Sequence, residues 1–169
     1  MGSTLAGASV QSSRKSIADL ANVFEDKEAV EQMRQTKTIY EVDSYCPVSN
    51  GSDASLAFEI IRIQPGLVGD EYFMTEIHLQ AAENCVEFYW GIQGEGMLIV
   101  VDKNRNTWAE RMHPGSIHHV TGWVALRVAN FDEGLFTFGA CRPTDSIHAG
   151  EQIEFSKRLK KVHGVPELI

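Results

Sequence analysis

Long apolar runs are missing from this 169-residue chain. No stretch approaches the roughly 18 consecutive apolar residues that a membrane-spanning helix needs. The opening stretch, MGSTLAGASVQSSRKS, lacks a basic end followed by an apolar core, so no secretory leader is expected. Cysteine is scarce. Cys46, Cys85 and Cys141 are odd in number and show no CxxC spacing. That argues against a disulfide framework and fits reduced, buried thiols in a cytoplasmic protein. No activating neighbour marks any of the three as a nucleophile. Positive charge is also short: 15 Lys and Arg stand against 23 Asp and Glu, a net charge of −8. The basic residues form no stripe, so neither nucleic acid nor membrane is an expected partner. The acidity reads as solubility.

What remains suits one small globular domain. Hydrophobic residues make up 43%, and a chain this long can bury about 70% of its unfolded surface without staples. Residues 1–13 are small and polar and are expected to form a flexible terminus, with 14–169 a single domain. Ser16 opens a predicted helical segment. Asp19 stands at the capping-box position, and Leu20, Val23 and Phe24 form an i, i+3, i+4 stripe. Ala29, Val30 and Met33 continue it after a break near Asp26.

From Thr38 onward short β-rich runs alternate with turn residues. Strands are expected at about 38–43, 55–64, 71–79, 85–92, 97–102, 107–111, 116–120, 124–131 and 135–142. Turn chemistry separates them, as at Pro65-Gly66, Asp102–Asn106 and Pro114-Gly115. Many evenly spaced strands point to a sandwich or barrel. Gly91, Gly94 and Gly96 sit at a hairpin rather than before a helix, so they read as a tight turn and not a phosphate cradle. Gln152–Leu159 reads as a short helix or strap.

The segment 69–94 carries the most specific pattern. Gly69 precedes a strand ending Thr75-Glu76-Ile77-His78-Leu79-Gln80, and Glu87 follows on the next. Residues i and i+2 of a strand share a face, which groups Glu76, His78 and Gln80, and separately Glu87 and Tyr89. Imidazoles and a carboxylate so grouped can bind Fe, Mn, Ni or Zn. Later, Met112-His113-Pro114-Gly115 begins a strand, and Leu126 lies four residues before Asn130.

This arrangement resembles the cupin pattern of His-x-His, Glu and a later His, most closely in the cupin form of glucose-6-phosphate isomerase. The resemblance runs from about Arg14 through nearly the whole chain. Thr38-Ile39-Tyr40-Glu41-Val42, Pro65-Gly66-Leu67-Val68-Gly69, Phe73-Met74-Thr75 and Pro143-Thr144-Asp145-Ser146-Ile147-His148 carry it as well. It implies an all-β cupin fold, a double-stranded β-helix or jelly-roll barrel, with an N-terminal helical segment packed outside. It also implies a homodimer. His78 and Glu87 match two family metal ligands, while Gln80 and Leu126 stand where two further histidines belong. Thr75, Tyr89 and His148 match active-site positions. Ile60 and Ile61 replace threonines that help hold the sugar phosphate, Ile77 replaces a glycine, and Arg142 replaces a tyrosine.

Two lost imidazoles leave a poor site for a first-row metal, so no cofactor is expected. The alternative is a divalent metal on His78, Glu87 and His119, because either His118 or His119 must face inward. Glu87, His78 and Tyr89 are the expected catalytic residues, since carboxylate, imidazole and phenol in a desolvated cavity suit proton transfer. Thr75, Glu76, Gln80, Leu126, Ile61, Trp90, Arg142 and His148 are the expected substrate-binding set. Isoleucines and Leu126 at formerly polar positions, with Met74, Trp90, Trp123, Phe136 and Phe138, suggest an apolar pocket. The expected function is therefore a metal-independent isomerase or cyclase acting on a hydrophobic small-molecule metabolite, such as a polyene or polyketide intermediate. The alternatives are a metal-assisted sugar-phosphate isomerase, with Glu87 moving a proton between carbons 1 and 2, and a non-enzymatic small-molecule-binding cupin.

Overall fold

The computed structural model describes residues 4–47, 56–80, 86–143 and 153–169. The elements in chain order are β1 (Gln11–Ser16), α1 (Lys27–Gln32), β2 (Thr38–Tyr45), β3 (Leu56–Ile63), β4 (Leu67–Val68), β5 (Glu71–Tyr72), β6 (His78–Gln80), β7 (Val86–Gln93), β8 (Gly96–Asp102), β9 (Thr107–Met112), β10 (Ile117–Thr121), β11 (Val124–Asn130), β12 (Phe136–Pro143), β13 (Leu159–Val162) and β14 (Val165–Leu168). Six strands form one sheet in the order β1-β2-β3-β12-β7-β10. A second sheet runs β6-β11-β8-β9, and a third, β14-β13-β5-β4, carries the C-terminal hairpin. The fold is all-β and cupin-like. Among the described residues no helix is long and apolar enough to cross a membrane.

Strand alternation builds the core. Ile61, Ile63, Tyr89, Phe136 and Phe138 of the large sheet are buried in one cluster with Leu98, Val100, Leu126 and Val128 of the second. Each such side chain removed from water contributes about 1.5–3 kcal/mol. Asn130 closes the β11–β12 turn, its amide donating to the Ile63 and Gly134 carbonyls, both at 2.9 Å. Gly94, at φ 72, lets β7 reverse into β8, a backbone state that glycine adopts without strain.

The N-terminal segment departs from the predicted helix. Asp19 does accept from the Ser16 amide at 2.8 Å, as the capping reading required. The chain instead forms β1 against β2 up to Ser16, followed by turns. The amides that would have started a helix are spent elsewhere: Ile17 N–H on the Lys37 carbonyl (2.9 Å) and Ala18 N–H on that of Gln35 (3.1 Å). Ile17, Leu20 and Phe24 are still buried, so the apolar stripe is satisfied without helix. The one helix among the described residues, α1, starts where Asp26 caps the Ala29 amide at 2.8 Å.

The strand predicted at 71–79 is broken. Met74 bridges Ala129, whereas His78 pairs with Leu126, so four steps of one strand run against three of the other. That extra residue is a bulge, a device that re-aims side chains. It lies between Thr75 and His78, at the cavity described next. The chain from Ile153 to Arg158 forms no helix.

Candidate functional site

A cavity of about 420 Å³ opens between the six-stranded sheet and the β6-β11-β8-β9 sheet. Alternation decides its walls. On β7, Glu87 and Tyr89 face inward and are buried, while Val86 and Phe88 face out and are exposed. On β3, Glu59 and Ile61 face the cavity and Phe58 is exposed on the outer face. On β12, Phe138, Ala140 and Arg142 line it. The bulge brings Thr75, Glu76, Ile77 and His78 to the rim and wall. Thr75 spends its hydroxyl locally, donating to the Glu76 carbonyl (3.0 Å) and accepting from the Val128 amide (3.1 Å), which pins the bulge.

A chain of charged and polar groups runs along the cavity floor. Arg142 donates from one guanidinium nitrogen to Glu59 and from the other to His78 Nδ1, at 3.0 Å. His78 Nε2 lies 2.8 Å from Glu87 Oε1, and the Tyr89 hydroxyl donates to Glu87 Oε2 at 2.7 Å. The guanidinium has only donors, so Nδ1 must accept and the proton of a neutral imidazole sits on Nε2, facing Glu87. Glu87 is 0% exposed, and both its oxygens are engaged. Burial first, then the Glu87 charge, holds the Tyr89 phenol well above its usual value, so it stays a proton donor at neutral pH. Burial is the largest single influence on Arg142 and opposes its charge, but Glu59, Tyr89 and Glu87 together outweigh it and raise the guanidinium above its usual value. At the mouth, Lys15 Nζ lies 3.0 Å from Glu76 Oε2, to which the Tyr40 hydroxyl also donates at 3.3 Å.

The structure gathers most of the expected residues. His78, Tyr89, Thr75, Glu76, Ile61, Leu126 and Arg142 line the cavity, and Glu87 lies directly behind His78 and Tyr89. Leu126 sits straight across from His78. Gln80 is placed on β6 opposite Val124. His148 lies outside the described residues.

Several expectations need correction. Trp90 is not in the cavity. It faces the outer side of β7 beside Gly139, where a Cβ would fall 2.1 Å from its ring. Of the histidine pair, His118 is the buried one, at 8% exposure, bound to Glu110 (2.7 Å) and Ser116 (3.0 Å). His119 is exposed and packs on the outward Phe88 ring at 5.2 Å, so it cannot join His78 and Glu87. Ile60, Met74, Trp123 and Phe136 do not line the cavity, which is not an apolar chamber: Lys15, Glu59, Glu76 and Arg142 share its walls with Ile61, Leu126 and Phe138.

Sequence reasoning missed Glu59, Lys15 and Tyr40. Glu59 was within reach, since it stands two residues before Ile61 on one strand. Lys15 was hidden by the helical reading of its neighbourhood.

His78 and Glu87 are bonded to each other, a guanidinium occupies His78 Nδ1, and no group of three or more His, Cys, Asp or Glu is arranged for a metal among the described residues. These residues alone do not fit such an ion.

The model of the glucose-6-phosphate isomerase (GPI) family matches residues 14–117. A glucose-6-phosphate isomerase of Thermococcus onnurineus is 34% identical over 134 residues, covering 78% of this chain and 69% of that protein. That of Thermococcus kodakarensis is 33% identical with the same coverage. A putative glucose-6-phosphate isomerase 2 of Rhizobium meliloti is 37% identical over 89 residues, covering 51% of this chain and 44% of that protein. Among solved structures, an oxalate decarboxylase of Bacillus subtilis aligns with a TM-score of 0.51 at 17% identity, over 72% of this chain and 30% of that one.

These findings overturn the polyene or polyketide cyclase reading, since the family model and these relatives are glucose-6-phosphate isomerases. The expected absence of a cofactor is corrected too. The oxalate decarboxylase neighbour, alike in fold, is described by its Mn(II) centres, so the expectation of no cofactor is not carried forward. The fold, the family model and the curated relatives agree: this chain belongs to the glucose-6-phosphate isomerase (GPI) family.

Proposed function

We propose that this protein is a sugar-phosphate isomerase that interconverts glucose 6-phosphate and fructose 6-phosphate. The observation that carries the reading is the Tyr89–Glu87–His78 chain at the floor of a cavity able to hold a single hexose phosphate. Family membership supports the same substrate class.

Aldose–ketose isomerisation needs a base that takes the proton from carbon 2 and returns it at carbon 1. It also needs donors that stabilise the oxygen where negative charge develops. Glu87 is the base. Its two oxygens accept from His78 and Tyr89, the groups that turn to the substrate oxygens. Tyr89, held as a phenol, and His78, through Nε2–H, are the donors. His78 does not serve as a base, because its other nitrogen is turned to Arg142. The carbon-bound proton passes through Glu87 while a hydroxyl proton moves from O2 to O1, so the atoms balance. Tyr89 and His78 line the cavity in front of Glu87, and as they turn to the substrate oxygens they leave the carboxylate to face carbons 1 and 2. No step is routed through a metal, for which the described residues are an incomplete set.

The test is turnover of fructose 6-phosphate by metal-analysed protein, compared with Glu87→Gln. We expect the variant to lose about 100-fold or more in kcat, the scale of one general acid–base group. Equal turnover by the variant refutes the role of Glu87. The homodimer implied by the resemblance fits the outer face of the large sheet, where Phe58, Phe88 and Ile117 are exposed. Light-scattering mass measurement tests it.

A further inference from the structure

We propose that Lys15 recognises the substrate phosphate, and that Glu76 is a placeholder which the phosphate displaces. This rests on the sugar-phosphate reading above and assigns its anion-binding residue.

A phosphate needs a cation whose donors can be released. The cavity walls carry two, Arg142 and Lys15. Arg142 is committed: its partner Glu59 is 13% exposed in its side chain, and its second nitrogen holds His78. Taking Arg142 away would strand a largely buried carboxylate. Lys15 is differently placed. Its side chain is 37% exposed and that of Glu76 is 43% exposed, and an ion pair so open to water adds little stability. Lys15 can therefore change partner at small cost. Glu76 has somewhere to go, since among the described residues its carboxylate is otherwise held only by the Tyr40 hydroxyl at 3.3 Å, and its side chain is 43% exposed.

Position agrees with charge. Lys15 and Ser13 alternate on β1, so both face the cavity, and Ser44 faces it from β2. Neither serine hydroxyl has a partner among the described residues. This rim is the wet end of the cavity, where a dianion keeps part of its hydration, while the sugar carbons reach Tyr89 and His78 at the floor. On β3 the residues that face the cavity are Ile61 and Glu59, and Glu59 is an anion paired with Arg142, so that strand offers a phosphate no donor. Ile61 is apolar and Ile60 does not line the cavity.

Lys15→Met and Glu76→Gln break the same ion pair, yet must act in opposite directions. Binding of inorganic phosphate to the full chain is measured by calorimetry, alongside KM and kcat for fructose 6-phosphate. Lys15→Met is expected to weaken phosphate binding by about 10-fold or more, the scale of one charge-assisted hydrogen bond. It should raise KM similarly and leave kcat nearly unchanged. Glu76→Gln removes the competitor and is expected to tighten phosphate by about 3-fold, on the scale of one exposed ion pair. Equal midpoints of thermal unfolding show that both variants fold.

Two variants that shift binding in the same direction, or not at all, overturn the proposal, because the bridge is then merely structural. Wild-type protein that binds no phosphate overturns it as well. If hexose phosphates are not turned over but phosphate binding shows the opposed pattern, the isomerase reading fails while the assignment of Lys15 stands.

Discussion

Replacing Arg142 with methionine probes the charged chain that sets the cavity floor. The substitution keeps most of the side-chain volume and removes the charge. Glu59 and Arg142 are 13% and 14% exposed, so Glu59 would be left largely buried without its partner. Removing one member of a buried pair costs about 3–5 kcal/mol. A glutamate can escape by taking a proton, which at pH 7 costs about 3.7 kcal/mol from an ordinary pKa, and this caps the penalty. The expected loss is therefore about 3 kcal/mol, with the remaining solvent contact keeping it from the top of the range. For a chain of this length that lowers Tm by about 6–12 °C. Urea unfolding followed by tryptophan fluorescence measures the loss directly. The double variant Glu59→Met/Arg142→Met removes both charges and should recover most of it. A single-variant loss below about 1 kcal/mol, or a double variant no more stable than the single, refutes the view that the pair is buried and interdependent.

Arg127 offers the opposite case. It is 2% exposed, its Nε has no partner among the described residues, and its guanidinium lies 4.1 Å over the Phe155 ring. Burial first, then the nearby charge of Arg158, pulls it down to about 10. Arg127→Met should therefore leave Tm unchanged or raise it, and a fall of more than a few degrees would show that the ring contact outweighs the burial of charge. Asp43 is held below the usual carboxylate range by Arg62 first and further by Ser12. A depressed carboxyl contributes stability above its unfolded value near 3.8 and loses it as pH falls through the folded value. Wild type should thus exceed Asp43→Asn in stability at pH 6, with the gap closing in acid below about pH 4; a gap that widens in acid contradicts the pairing. Gly139→Ala should cost about 1–3 kcal/mol by driving a methyl group into Trp90, with a red shift in tryptophan emission as the ring moves out.

Much of the barrel was legible because strand periodicity is local. The β7 segment announced both its own existence and the shared inward face of Glu87 and Tyr89, and the contact between them at 2.7 Å follows from that alternation. The family pattern around His78 likewise pointed to the two strands whose His78 and Glu87 side chains meet at 2.8 Å. The bulge between Met74 and His78 was not legible, because a register shift is a property of two strands and the sequence of one does not encode it. Nor was the choice between His118 and His119, where alternation required one to face inward but could not say which.

The sequence by itself determined an all-β cupin, its family, and the grouping of His78, Glu87 and Tyr89, since these depend on residue type and short-range spacing. Only the tertiary structure decided the character of the cavity. Isoleucines at positions 60 and 61 suggested an apolar chamber, but only Ile61 faces it, and Glu59, Arg142 and Lys15 arrive from three strands far apart in the chain. Charge balance in a pocket depends on which distant side chains converge there. No local pattern carries that information.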